Sequence, residues 1–93
     1  MNASKARLVE DLEYGIVEGL VVFLCRKTGT YLGGNRLTTD VFELLLDSPS
    51  VERLFYSLKD KYDVDPETLK SDVDELLSRM AELGLVELEE ASK

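Results

Sequence analysis

The chain has no histidine and no tryptophan, one cysteine, two prolines and no long apolar run. Each scarcity removes a class of function. Without histidine there is no imidazole to serve as general base, nucleophile partner or metal ligand. A lone Cys25 can form neither an intramolecular disulfide nor a Cys/His zinc site. Cys25 closes an apolar run, where a thiol is ordinarily buried and inert. That run, Leu20 to Cys25, has a strand's length and falls far short of the roughly 18 residues of a membrane span. The opening residues MNASKAR lack the apolar block of a secretion signal, so a cytoplasmic location is expected. There is no phosphate-cradling glycine loop, calcium-loop spacing, repeat or low-complexity segment. The carboxylates fall on expected helix faces and turns without a convergent pair. No metal, no cofactor and no catalysis are therefore expected.

What remains is an ordinary globular composition. In 93 residues, 44% are hydrophobic and 32% charged, which suits one domain over 1–93 with one core and with 1–7 and 90–93 frayed. The formal charge of −8 repels nucleic acid and anionic membranes at long range.

The clearest element is the segment from Val64 to Leu88. Asp65 fits a helix N-cap, Pro66 the first helical position, and Gly84 the left-handed residue that ends the helix. Leu69, Val73, Leu76, Leu77, Met80 and Leu83 share one stripe at helical spacing, opposite Glu67, Ser71, Glu75, Ser78 and Glu82. Burying six such side chains is worth on the order of 10 kcal/mol gross, so the stripe reads first as core. Only its edges are open to function: Lys70, Asp74 and Ala81 on one, Asp72 and Arg79 on the other.

Upstream, alternation over Leu12 to Val17 predicts a modest strand, and Glu18-Gly19 a tight turn. The continuous run Leu20 to Cys25 predicts a strand covered on both faces. In so small a domain the second face would need the N-terminal segment, a partner or a second copy, so a homodimer is one expectation. Gly29 closes the next turn, and Thr30, Tyr31 and Leu32 form a short third strand ending at Gly33-Gly34. Such an edge offers unpaired N–H and C=O groups to an extended peptide. Asn35 is expected to cap a first helix, Arg36 to Leu46, with Leu37, Val41, Leu44 and Leu45 on its stripe. Ser50 is expected to cap a second, to about Tyr62, with Val51, Leu54, Phe55, Leu58 and Tyr62 inward. Leu85 to Glu89 is either a last strand or a tail. The fold class is α+β: a three-stranded antiparallel sheet followed by three helices, β-β-β-α-α-α, the make-up of a winged helix.

Gly29, Tyr31 and Asn35 in the spacing G-x-Y-x-x-x-N are followed by Tyr62, Val64 and Glu67, the Asp72-Val73 pair and the closing Gly84 to Val86. From about Leu20 to Glu87 this pattern resembles the PqqD-like family, the RiPP precursor peptide recognition elements. The resemblance implies a small winged-helix module that binds the leader segment of a ribosomally made precursor peptide. It also implies presentation of that peptide to a modifying enzyme such as a radical SAM enzyme, a leader protease or a cyclase. In such proteins the leader adds as an antiparallel strand to the third strand, in the cleft beside the third helix. Carried onto this chain, the backbone of Thr30, Tyr31, Leu32 and Gly33 would supply the ladder. Val73, Leu76, Leu77 and Met80 would supply an apolar floor, and Asp72 or Arg79 a polar contact. One position departs from the pattern: Gly34 stands where the family commonly has an apolar residue before the asparagine, which implies a more mobile edge or a shallower pocket.

Two other readings compete with leader binding. A non-catalytic adaptor subunit could dock on a larger enzyme through the apolar sheet face. A winged-helix DNA regulator would need a basic recognition helix, whereas Asp65 to Gly84 holds six acids (Asp65, Glu67, Asp72, Asp74, Glu75, Glu82) against Lys70 and Arg79, a balance of −4.

Overall fold

In the computed structural model, which describes residues 3–90, two tight turns set the sheet. Glu18 and Gly19 both take positive φ, 53° and 82°. A two-residue turn of that kind matches the twist of a hairpin, and it pairs Val17 directly with Leu20. Gly29, at φ 69°, donates its N–H to the Cys25 carbonyl at 2.8 Å and closes the second turn. The result is the expected antiparallel sheet, built from β2 (Tyr14–Val17), β3 (Leu20–Cys25) and β4 (Thr30–Gly33) with β3 in the centre. Helices α1 (Arg36–Asp47), α2 (Val51–Lys61) and α3 (Pro66–Glu82) follow in the expected order.

The helix ends are set by local chemistry. The Asn35 side chain accepts the Thr38 N–H at 2.9 Å and the Ser50 hydroxyl accepts the Arg53 N–H at 3.2 Å. Asp65 occupies the cap position of α3, but its side chain makes no capping bond; Pro66 alone marks that end. At the other end Gly84 is at φ 78°, Gly84 N–H reaches the Ala81 carbonyl, and Leu85 N–H reaches that of Met80 at 2.9 Å. This paired closure satisfies carbonyls that the helix would leave orphaned.

Two further strands extend the expected plan. The chain opens with β1 (Ala3–Leu8), which pairs antiparallel with β5 (Val86–Glu90) as a second sheet of two strands. The fraying expected for 1–7 therefore does not hold over residues 3–7, nor that expected for 90–93 at Glu90; residues 1–2 and 91–93 lie outside the described range. The physical reason is tertiary. Ala6 is 0% exposed within the core, its N–H donates to the Pro49 carbonyl at 2.8 Å, and Arg7 pairs with Glu89 at 2.9 Å.

One core holds these pieces together: Val21, Phe23 and Cys25 from β3, Val41, Phe42 and Leu45 from α1, Leu54 and Leu58 from α2, and Leu69, Val73, Leu77 and Met80 from α3, closed by Ala6, Leu85 and Val86. The buried face of α1 is rotated from the expected stripe. Phe42 packs edge-on against Phe23, with ring centroids 5.4 Å apart, while Leu37 and Leu44 are only half-buried. The rotation is held by Thr39, whose hydroxyl accepts the Val21 N–H at 3.0 Å and donates to the Asn35 carbonyl at 2.9 Å.

The apolar run of β3 is also covered differently from the expectation. Its residues alternate, with Val21, Phe23 and Cys25 buried and Leu20, Val22 and Leu24 half-buried. The N-terminal segment, one of the expected covers for the second face, is paired with β5 instead.

Candidate functional site

Strand β4 is an edge. Its inner side pairs with β3 in the register Val22↔Gly33, Leu24↔Tyr31, and among the described residues nothing pairs with its outer side. Gly34 N–H donates to the Val21 carbonyl at 2.8 Å. Because antiparallel ladders alternate bonded and non-bonded pairs, that bond fixes the phase. Thr30 and Leu32 direct their backbone groups to β3, so of the expected ladder from Thr30 to Gly33 only Tyr31 and Gly33 direct theirs outward.

Beside this edge lies a groove of about 460 Å³. One wall is Leu32 and Gly33 of β4 with Gly34 and Asn35. The base is Leu37 and Thr38 of the first turn of α1. The opposite wall is Asp72, Glu75, Leu76, Arg79 and Met80 of α3. An extended chain paired with Tyr31 and Gly33 would direct alternate side chains into this space.

The expected site residues divide accordingly. Leu32, Gly33, Asp72, Leu76, Arg79 and Met80 line the groove. Thr30 and Tyr31 belong to the edge without lining it, and the Tyr31 ring, 75% exposed, shares the outer sheet face with Leu24. Val73 and Leu77 do not belong to the floor. They are not among the lining residues and lie wholly in the core at 2% and 0% exposure, whereas Met80, as deeply buried, belongs to core and groove alike. Gly34, Asn35, Leu37, Thr38 and Glu75 are lining residues beyond the expected set. The helical spacing sets Glu75 opposite the apolar stripe, but it lies next to the Asp72–Arg79 edge and lines the groove. The other edge is occupied by the Lys70–Asp74 ion pair at 3.0 Å.

Gly34 is fixed here by close packing. A Cβ at this position would lie 2.8 Å from Thr38 Cγ2 and 3.0 Å from Val21 Cγ1. Two neighbouring side chains thus occupy the space an apolar residue would need, and the main chain approaches α1 closely.

Helix α1 also carries an internal ion cluster. Asp40, whose side chain is 2% exposed, accepts from the Tyr62 hydroxyl at 2.6 Å and from Lys61 Nζ at 3.0 Å, with Arg36 at 3.7 Å. Burial alone would raise the Asp40 carboxyl. The hydrogen bonds from Tyr62 and Lys61 and the charges of Lys61 and Arg36 outweigh it and hold the group below its ordinary value. Tyr62 is pushed up to about 12 by its burial and by its bond to that carboxylate. The cluster ties the start of α1, which forms the base of the groove, to the end of α2. Among the described residues there is no group of three or more His, Cys, Asp or Glu side chains placed to hold a metal ion, and no helix is long and apolar enough to cross a membrane.

The family model described as coenzyme PQQ synthesis protein D matches residues 21–86. No curated protein sequence matches the chain. Two solved structures share its fold. One is TbiB1 in complex with the TbiA(beta) leader peptide, 24% identical, with a TM-score of 0.77 over 94% of this chain and 99% of that one. The other is a lasso peptide synthetase B1 complexed with the leader peptide, 22% identical, with a TM-score of 0.76 over 89% of this chain and 98% of that one.

Proposed function

Because the chain belongs to the family of coenzyme PQQ synthesis protein D, we propose that it is a non-catalytic module that captures the leader of a ribosomally made precursor peptide and presents it to a modifying enzyme. One observation carries the reading: the unpaired edge of β4 runs beside a groove whose other wall is α3. The leader adds antiparallel to β4, the pairing that is slightly more stable per residue. It bonds to the outward N–H and C=O groups of Tyr31 and Gly33. Its alternate side chains enter the groove against Leu32, Leu37, Leu76 and Met80. Both solved neighbours are complexes with leader peptides, which supports a leader peptide as the guest here.

Backbone bonds read any extended chain, so selectivity comes from the groove. A micromolar complex needs about 8 kcal/mol net. A short ladder and a few apolar anchors are of that order once ordering costs are met.

The outer sheet face supports the second half of the proposal. Val17 and Tyr31 are exposed there beside half-buried Leu20, Val22 and Leu24. This face is separate from the groove, so a radical SAM enzyme, a leader protease or a cyclase can dock on it while the leader stays bound. The acidic wall of α3 argues against a duplex DNA ligand.

Hydrogen–deuterium exchange tests the capture step directly. The peptide probes are the N-terminal segments of precursor peptides encoded beside this chain. The amides of Tyr31 and Gly33, open to solvent in the free protein, become protected when such a segment binds. Binding that leaves both amides exchanging at their free rates refutes strand addition.

A further inference from the structure

The α3 wall of the groove carries a charge pattern that its neighbours do not neutralise. Asp72, Glu75 and Arg79 are exposed, and none of the three has an ion-pair partner among the described residues. Elsewhere on the same helix Lys70 and Asp74 do pair. The groove therefore presents two free carboxylates followed, one helical turn on, by one free guanidinium.

The spacing matches an extended chain. Glu75 and Arg79 are four residues apart, which along a helix is about 6 Å. Residues of a strand that face the same side are two apart, about 6.7 Å. Two consecutive groove-facing side chains of a guest would meet the two charges in turn.

The direction is fixed as well. Lys27, in the β3–β4 turn, donates from Nζ to the Glu82 carbonyl at 3.3 Å, and its side chain packs beside Gly84. The C-terminal end of α3 is thereby held at the turn from which β4 starts. Strand β4 leaves that turn, and its far end at Leu32 to Gly34 shares the groove with Asp72, Glu75, Leu76 and Arg79, a course that sets β4 antiparallel to α3. A guest antiparallel to β4 runs parallel to α3, and it meets Asp72 and Glu75 before Arg79.

Resting on the strand-addition reading above, we infer that the groove selects peptides carrying a basic side chain two residues before an acidic one. The basic residue pairs with Glu75, with Asp72 one turn upstream adding a second negative charge, and the acidic residue pairs with Arg79. Opposite charges in register attract, while the reversed order places like charges face to face, so the pattern also rejects wrong guests. The overall charge of −8 adds a long-range pull on the basic end of the guest.

The test is selection of a random 15-residue peptide library displayed on phage, panned against the full-length protein and against the double variant Glu75→Arg with Arg79→Glu. Both substitutions are at exposed helix positions, and circular dichroism checks that the fold is kept. The wild-type protein should enrich basic-x-acidic peptides, and the charge-swapped protein should enrich acidic-x-basic. Reversing the two charges in a selected peptide should weaken binding to the wild-type protein roughly tenfold, with the difference shrinking in high salt. Enrichment of apolar patterns without the charge pair overturns the inference and leaves strand addition standing. So does a pattern that does not invert with the swapped protein, and so does acidic-x-basic enrichment by the wild type. Failure to enrich any peptide overturns peptide capture itself.

Discussion

Replacing Tyr31 by proline separates the backbone role of the β4 edge from everything else that residue does. In the free protein the Tyr31 N–H points outward and its ring is 75% exposed on the outer sheet face, so neither group supports the core. Proline deletes the N–H and places a ring carbon where the guest's carbonyl would approach. An edge strand tolerates proline with its missing N–H toward solvent, and Thr30 before it is already extended, as a residue preceding proline prefers. Stability should change by no more than about 1 kcal/mol. The guest loses one ladder bond and leaves a carbonyl unsatisfied at a partly desolvated site, a cost of about 1–3 kcal/mol. That corresponds to an affinity roughly 5- to 150-fold weaker. Tyr31→Ala is the control, because it removes the ring and keeps the N–H, and it should lose less than about threefold if the ring makes no contact with the guest. Isothermal titration calorimetry with a peptide that protects the edge from hydrogen exchange reads both variants. If Tyr31→Pro binds as tightly as Tyr31→Ala, the ladder contributes nothing and the strand-addition argument fails.

Three further predictions concern the frame around the groove. Gly34→Ala drives a methyl group against Thr38 and Val21 and should cost about 1–3 kcal/mol of stability by overpacking, read as a lower urea midpoint. Ala6→Asp places an unpaired carboxylate at a fully buried position and should cost more than about 3 kcal/mol, whereas frayed N-terminal residues would give almost no change. Tyr62→Phe removes a hydrogen bond to a charged group and should cost about 1.5–3 kcal/mol at neutral pH. Its pH dependence has a definite sign. The depressed Asp40 carboxyl contributes stability that is fully present above its ordinary value of about 3.9 and is lost as pH falls through the lower folded-state value. Removing Tyr62 weakens that depression, so the acid decline in urea titrations should become shallower. On the alkaline side the raised Tyr62 hydroxyl contributes stability present below its ordinary value of about 10 and lost as pH rises through about 12. The Phe variant should lack that loss.

Local chemistry made much of the fold legible in the sequence. Glu18-Gly19 and Gly29 gave the hairpins, Asn35, Ser50 and Pro66 gave the helix starts, and Gly84 gave the end of α3, because a turn or a cap is decided by a few adjacent residues. The edge at Tyr31 to Gly33 was readable for the same reason, since a short strand between turns and glycines has few ways to be covered. Tertiary structure decided the rest. Strand β1 carries almost no apolar alternation, and it exists because β5 and Pro49, distant in sequence, offer it partners. A helical wheel could show that α3 has two edges flanking its apolar stripe. Which edge faces the groove depended on how Lys27 anchors the end of that helix and on where β4 runs. For this reason Glu75 joined the site while Val73 and Leu77, on the same stripe as Leu76 and Met80, went to the core. Periodicity ranks residues around a helix axis, but the angle at which that helix meets its neighbours is set by packing contributed from the whole chain.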